Sequence, residues 1–177
     1  MLNKNVDKAL NEFKSRVIQQ ARTRLTKGGK NATKELYDSL SGDVTVSPNS
    51  FGLSFYMNPY GVFQDRGVAG TKSGKSLDGF KYKESSNLVG VEYHTGALSK
   101  WAKIRGMQPR NKKGKFGSYR TMGFILANSI KTKGIKPSLF FTKPFEEAFL
   151  DLPEDLIEAY GLDVEEFLQQ ALTDNIN

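Results

Sequence analysis

The sequence has no cysteine, one histidine, one tryptophan and no basic residue after Lys143. Without cysteine there are no disulfides, thiolate nucleophiles or thiolate metal ligands, and the redox compartment stays undetermined because a chain without thiols is indifferent to it. With His94 as the lone imidazole, there is no His-rich metal set and little scope for a nucleophile–base triad. His94 follows Tyr93 and precedes a Thr-Gly turn, where a single imidazole without an evident partner reads as a loop residue rather than a general base. No apolar run approaches the roughly 18 residues of a membrane span. A mean hydropathy of −0.49 and 25% charged residues agree with a soluble chain. Residues 1–5 carry a lysine with no apolar segment behind it, so no secretory signal or lipid anchor is readable and the chain is expected to stay in the cytoplasm where it is made. Asp and Glu leave a carboxylate magnesium site or a glycosidase pair formally open, but their spacing converges on neither. The expectation is therefore a non-enzyme with no catalytic residue, no cofactor and no metal.

What the chain does have is length and a lopsided charge. Its 177 residues, 38% of them hydrophobic, suffice for one compact domain with appendages. All 26 Lys and Arg lie before Pro144 together with 9 of the 19 acids, giving +17, and the remaining 10 acids follow it, giving −10. The reading is a basic core domain over 1–144, with a loop insertion at about 68–117, and an acidic helical extension over 145–177. Such asymmetry points to nucleic acid or to an oppositely charged protein surface. The favoured version sets the acidic tail of one copy against the basic body of the next; in the other version the tail folds back on its own body.

Hydrophobic spacing supplies the elements of an α+β fold. Val6, Leu10, Phe13, Val17, Ala21 and Leu25 recur every three or four residues, so a long N-terminal helix is predicted from Asn5 to about Lys27, broken by Gly28-Gly29. Asn31 or Thr33 is placed to cap a short second helix ending at Ser41-Gly42. Alternation at Val44 and Val46, then at Phe51, Leu53, Phe55 and Met57, predicts two strands joined through the turn residues Pro48-Asn49-Ser50. This small antiparallel sheet needs the first helix or a larger sheet to be stable. Asn58 to Gly67 reads as a turn entering a short helix that Gly67 stops. Val68 to about Thr95 reads as a long loop or arm reaching a neighbour, 96–106 as a short helix carrying Leu98, Trp101 and Ile104, and 107–117 as a basic loop. A firmer helix follows over 118–131, with Tyr119, Met122, Ile125, Leu126, Ser129 and Ile130 on one face. Pro137 to Pro144 is expected to be extended, 145–150 helical, and the last helix to open at Pro153. Beyond a break at Gly161 lies a final stripe of Val164, Phe167, Leu168, Ala171 and Leu172.

Two local patterns bear on chemistry. Gly70-Thr71-Lys72-Ser73-Gly74-Lys75-Ser76 is close to a phosphate-binding P-loop, but Ala69 stands where the first glycine belongs, no buried strand precedes it and no helix follows. It reads as a flexible basic loop. Lys100, Lys103, Arg105, Arg110, Lys112, Lys113, Lys115 and Arg120 are interleaved with Trp101, Phe116 and Tyr119. Cations that neutralise phosphate beside rings that stack are what non-specific DNA contact uses, and the same charge serves an acidic protein partner equally well. A nuclease or hydrolase would need convergent carboxylates that the spacing does not supply.

The long N-terminal helix, the two-strand unit, the segment Tyr60-Gly61-Val62-Phe63-Gln64-Asp65-Arg66-Gly67, and Pro137-Ser138-Leu139-Phe140-Phe141 leading into Pro144-Phe145-Glu146-Glu147-Ala148-Phe149 together resemble the tail-completion, or head-tail joining (neck), family of lambda-like tailed phages. The resemblance spans about two thirds of the chain in order. An insertion-like stretch from about Val68 to Lys133 and the acidic C-terminal part depart from it. The resemblance implies a non-catalytic virion protein that forms a homo-oligomeric ring at the portal–tail junction, contacting portal, adaptor or tail proteins and the DNA in the lumen, after a period in the host cytoplasm. It also implies Tyr60, Phe63, Asp65, Arg66, Phe140, Phe141, Glu146 and Glu147 as subunit-interface residues. The alternative is a non-enzymatic DNA-binding or DNA-packaging accessory protein using the basic stretch.

Overall fold

The computed structural model describes residues 4–30, 33–47, 50–84, 87, 90 and 96–174, with side chains as far as Ala171. His94, the turn pair Pro48-Asn49, Asn31 and the Leu172 side chain lie outside them. Among the described residues the chain forms helices α1 (Lys4–Lys27), α2 (Glu35–Ser39), α3 (Tyr60–Arg66), α4 (Ala97–Ile104), α5 (Tyr119–Lys133), α6 (Thr142–Phe149) and α7 (Leu152–Asp174), with strands β1 (Ser41–Ser47), β2 (Ser50–Tyr56), β3 (Val68–Ala69) and β4 (Gly134–Ile135). Both two-stranded sheets, β1–β2 and β3–β4, are antiparallel, so the fold is α+β with a long N-terminal helix, as expected.

The chain divides into two compact units, a terminal one (Met1–Lys27, Leu36–Asn58, Phe140–Asn177) and a central one (Gly28–Glu35, Pro59–Leu139). This is not the division expected at Pro144. The acidic segment is part of the terminal unit, because its apolar side chains complete the cover over α1.

All six predicted stripe residues of α1 are buried, with Leu10, Val17, Ala21 and Leu25 fully so. Val44, Val46, Leu53 and Phe55 of the hairpin, Phe145 and Ala148 of α6, and Leu152, Leu156 and Ala159 of α7 pack on its first half. Leu36, Leu40 and Phe140 pack on the second. The hairpin register sets Val44 opposite Leu53 and Val46 opposite Phe51. Phe55 sits among three rings, its centroid 6.3 Å from Phe13, 5.3 Å from Phe141 and 5.9 Å from Phe145, all edge-on. Each such pair contributes about 0.5–1.5 kcal/mol beyond the area it buries.

The two ends of the terminal unit meet at Asp163. Its side chain, on α7 and only 3% exposed, accepts from the backbone N–H of Asn5 at 2.8 Å and of Val6 at 3.0 Å. The first-turn amides of α1 have no partner within their own helix, and a carboxylate there also meets the positive end of the helix dipole. At the other end of the contact Arg16 pairs with Asp151 at 3.0 Å, so α7 runs antiparallel to α1. Arg24 likewise pairs with Glu147 at 3.0 Å. Both pairs are exposed and worth little individually.

Four local expectations are corrected. α6 begins at Thr142 and takes Pro144 into its first turn, where a missing N–H costs nothing, so the helix starts three residues earlier than expected. α7 runs unbroken through Gly161, since burial of Leu152, Ala159 and Asp163 outweighs the roughly 1 kcal/mol that an interior glycine costs. Lys34, at φ 59°, precedes α2, so Thr33 does not occupy the capping position. Finally, 68–82 is not a free arm. β3 pairs with β4, Ala69 N–H donates to Phe80 O at 2.8 Å, and Tyr82 N–H donates to Ala69 O at 2.9 Å.

In the central unit α3 ends at Gly67, whose φ of 77° and ψ of 167° suit glycine. A Cβ there would lie 2.7 Å from Pro137 Cδ and 2.8 Å from Ile135 O. Ser138 Oγ donates to Gln64 O at 2.6 Å, and Leu139 N–H donates to Asp65 O at 3.1 Å. α4 packs on α5 through Ala102, Gly123 and Ala127, small residues that allow close approach. The buried line of α5 runs along Gly123 and Ala127, leaving Ile125 49% exposed, which turns the predicted face. Ser118 caps α5 by accepting from Thr121 N–H at 3.1 Å.

Two predictions follow from these contacts. Asp163→Ala strands two helix-end donors, the Val6 amide buried and the Asn5 amide partly so, and should lower unfolding free energy by about 1–3 kcal/mol, read as a lower denaturant midpoint at unchanged slope; unchanged stability contradicts the cap. Gly67→Ala should cost at least about 1–3 kcal/mol through backbone strain, read as faster hydrogen exchange at the Ser138 and Leu139 amides.

Candidate functional site

Every one of the eight cations from Lys100 to Arg120 lies in the central unit and is exposed. Lys100 and Lys103 project from α4, Arg105 follows its C-terminus, and Arg120 stands in the first turn of α5. Between them the basic loop is an ordered turn. Arg110 and Phe116 form an antiparallel bridge, and Asn111 N–H donates to Lys115 O at 3.0 Å. The Asn111 side-chain oxygen accepts from Lys113 N–H at 3.0 Å and Lys115 N–H at 2.9 Å, the self-bonding that suits Asn to turns. Gly114, at φ 76°, completes the reversal. The tip therefore holds Lys112, Lys113 and Lys115 outward at fixed spacing.

The rings beside these cations are already engaged. The Arg110 guanidinium lies 4.4 Å from the Phe116 ring centroid and that of Arg105 lies 5.7 Å from Trp101, cation–π arrangements. Each guanidinium takes one face of its ring, so a base stacking there would share the ring with a cation, and this surface suits charge neutralisation at least as well as base stacking. Ile104, Phe116 and Ile125, 58%, 62% and 49% exposed, add apolar area.

Counted by the two units instead of at Pro144, the separation of charge is smaller but keeps its sign. The central unit holds 18 of the 26 bases and 5 of the 19 acids, a net of +13; the terminal unit holds the other 8 and 14, a net of −6. No acid stands anywhere from Tyr93 to Phe145.

The glycine-rich segment is not a phosphate cradle. The amides that would wrap a phosphate serve as a C-terminal cap of α5: Thr71 N–H donates to Lys131 O at 2.9 Å, and Lys72 and Ser73 N–H donate to Thr132 O at 3.1 Å each. Among the described residues no group of three or more His, Cys, Asp or Glu is placed to hold a metal, and no helix is long and apolar enough to cross a membrane.

The eight residues expected at a subunit interface separate on inspection. Phe140, 1% exposed, and half-buried Phe141 belong to the core of the terminal unit, and Asp65, 4% exposed, is interior to the central unit. Phe140 and Asp65 are corrected to structural roles, because a side chain without exposed surface has none to offer a partner, while Phe141 keeps part of its surface exposed. Arg66 is held by Asp78, with Nε–Oδ1 at 3.0 Å and Nη2–Oδ1 at 2.8 Å. The hydrogen bonds from Arg66 hold the Asp78 carboxyl below its ordinary pKa. Glu147 pairs with Arg24 and Lys143, while Glu146 is exposed. Tyr60 and Phe63 remain 43% and 42% exposed.

Tyr60 and Phe63 open onto a feature that sequence spacing missed. With Gln64, Val68, Phe80, Tyr82 and Ile135 they line a groove of about 380 Å³. Phe63 and Phe80 meet edge-on at 5.0 Å. Phe80 and Tyr82 alternate around Lys81, a period-two signal that marks one face of a strand. Comparison of the chain with protein-family models, with curated proteins and with solved structures finds no match.

Asn111→Ala removes two acceptor contacts from the tip and should raise hydrogen exchange at the Lys113 and Lys115 amides about tenfold or more; unchanged protection contradicts this account of the loop.

Proposed function

We propose that the chain is a non-enzymatic structural subunit of a tailed-phage virion, forming a ring at the portal–tail junction in contact with portal, adaptor or tail proteins. The observation that carries this reading is the partition of charge. One unit carries +13 and exposes an ordered cationic surface, and the other carries −6 and ends in a base-free helix. A chain with two complementary, non-identical surfaces favours heterologous, head-to-tail contacts, which close into rings when the rotation permits. The resemblance in the segments around Tyr60–Gly67 and Pro137–Phe149 supplies the setting.

The ordered cationic turn favours a second reading, a DNA-binding or DNA-packaging accessory protein. Phosphate contacts release counterions, so duplex affinity would then fall steeply with salt, by a factor of about 10³–10⁵ between 50 and 200 mM salt for six to ten contacts.

Light scattering at low and high salt, paired with duplex titrations, separates the two. The subunit reading predicts a discrete oligomer at low salt that dissociates at high salt and in Lys112→Glu/Lys113→Glu/Lys115→Glu. A monomer at every salt that binds duplex with a steep salt slope contradicts it. Truncation after Pro144 is unsuitable, because α6 and α7 complete the core over α1.

A further inference from the structure

α7 has two apolar stripes and the terminal unit uses one. Leu152, Leu156, Ala159 and Asp163 face α1. The next line around the helix, Ile157, Tyr160, Val164 and Leu168, follows the same three- and four-residue spacing. Ile157, Tyr160 and Leu168 are 75%, 55% and 54% exposed. Asp163 is bonded to the first residues of α1 that the structure describes, and the 11 residues from there to Asp174 continue the helix, about 16 Å at 1.5 Å per residue. On that projecting part Phe167 is also half exposed, at 51%.

The groove of the central unit presents the complementary chemistry. It is aromatic, Lys81 is its one charged lining residue, and it belongs to the unit of net +13.

We propose that the vacant stripe of α7 docks in the Tyr60–Phe63–Phe80–Tyr82 groove of a second copy of this chain. Two features select this occupant. α7 carries seven acids and no base, so two α7 helices laid together would repel, whereas the central unit attracts them. Its exposed side chains are aromatic and branched aliphatic, matching an apolar groove. Each copy gives one helix and one groove, the heterologous geometry from which rings are built. The inference deepens the subunit reading and rests on it.

The test uses full-length chains altered at exposed positions, with circular dichroism as the check on folding. Leu168→Glu spoils the helix, and Tyr60→Glu or Phe63→Glu spoils the groove. Each alone should lose the low-salt oligomer, and an equimolar mixture of a helix variant and a groove variant should form a heterodimer through the one intact pair of surfaces. A mixture that stays monomeric, or a groove variant that still pairs alone, overturns the docking. If the wild type forms an oligomer that both variants leave intact, the docking falls and the ring reading stands. A wild-type monomer at every salt overturns both.

Discussion

The 24-residue helix α1 buries about one apolar side chain per turn along its whole length, and the terminal unit is largely the set of elements that cover this stripe. A helix of that amphipathicity gains most of its stability from the face it buries. The hairpin cannot stand alone, and α7 carries no base to balance its acids, so each depends on α1 for its position. Asp163 fixes the register by ending α7's docked part at the first turn of α1. The remainder of α7 then extends beyond the contact with part of its apolar surface uncovered. A single carboxylate thus ties chain closure to the surface offered for association.

Charge acts at a different level from this packing. The ion pairs Arg16–Asp151 and Arg24–Glu147 are exposed and are too weak to determine the fold. The larger pattern, +13 on one unit and −6 on the other, governs encounter and orientation between molecules, where a summed field is felt over about a Debye length. The cationic surface is held by ordered local structure. Asn111 organises the tip, and Arg110 and Arg105 cover their neighbouring rings. These features suit an acidic protein surface at least as well as a nucleic acid.

Local periodicity was legible wherever one element met one partner. The α1 stripe, the hairpin alternation and the Gly67 stop all follow from spacing and backbone chemistry. Misreadings arose where tertiary packing overrode a local signal. Gly161 stays helical because its neighbours are anchored on α1, and Pro144 enters a first turn that needs no N–H. The acidic tail was separated from the core by its charge, although its apolar positions belong to that core. Among the interface candidates, Asp65 and Phe140 carry recognisable motif positions whose burial no linear pattern reveals. The groove was hidden because its walls come from 60–68, 80–82 and 135, brought together by two-residue strands too short to give a periodic signal.

The most direct test of the central claim, a subunit that closes head to tail, is electron microscopy of the purified full-length chain concentrated at low ionic strength. The account predicts closed rings of one diameter that disperse at high salt. Particles of monomer size at every salt, or open filaments of indefinite length, would contradict it.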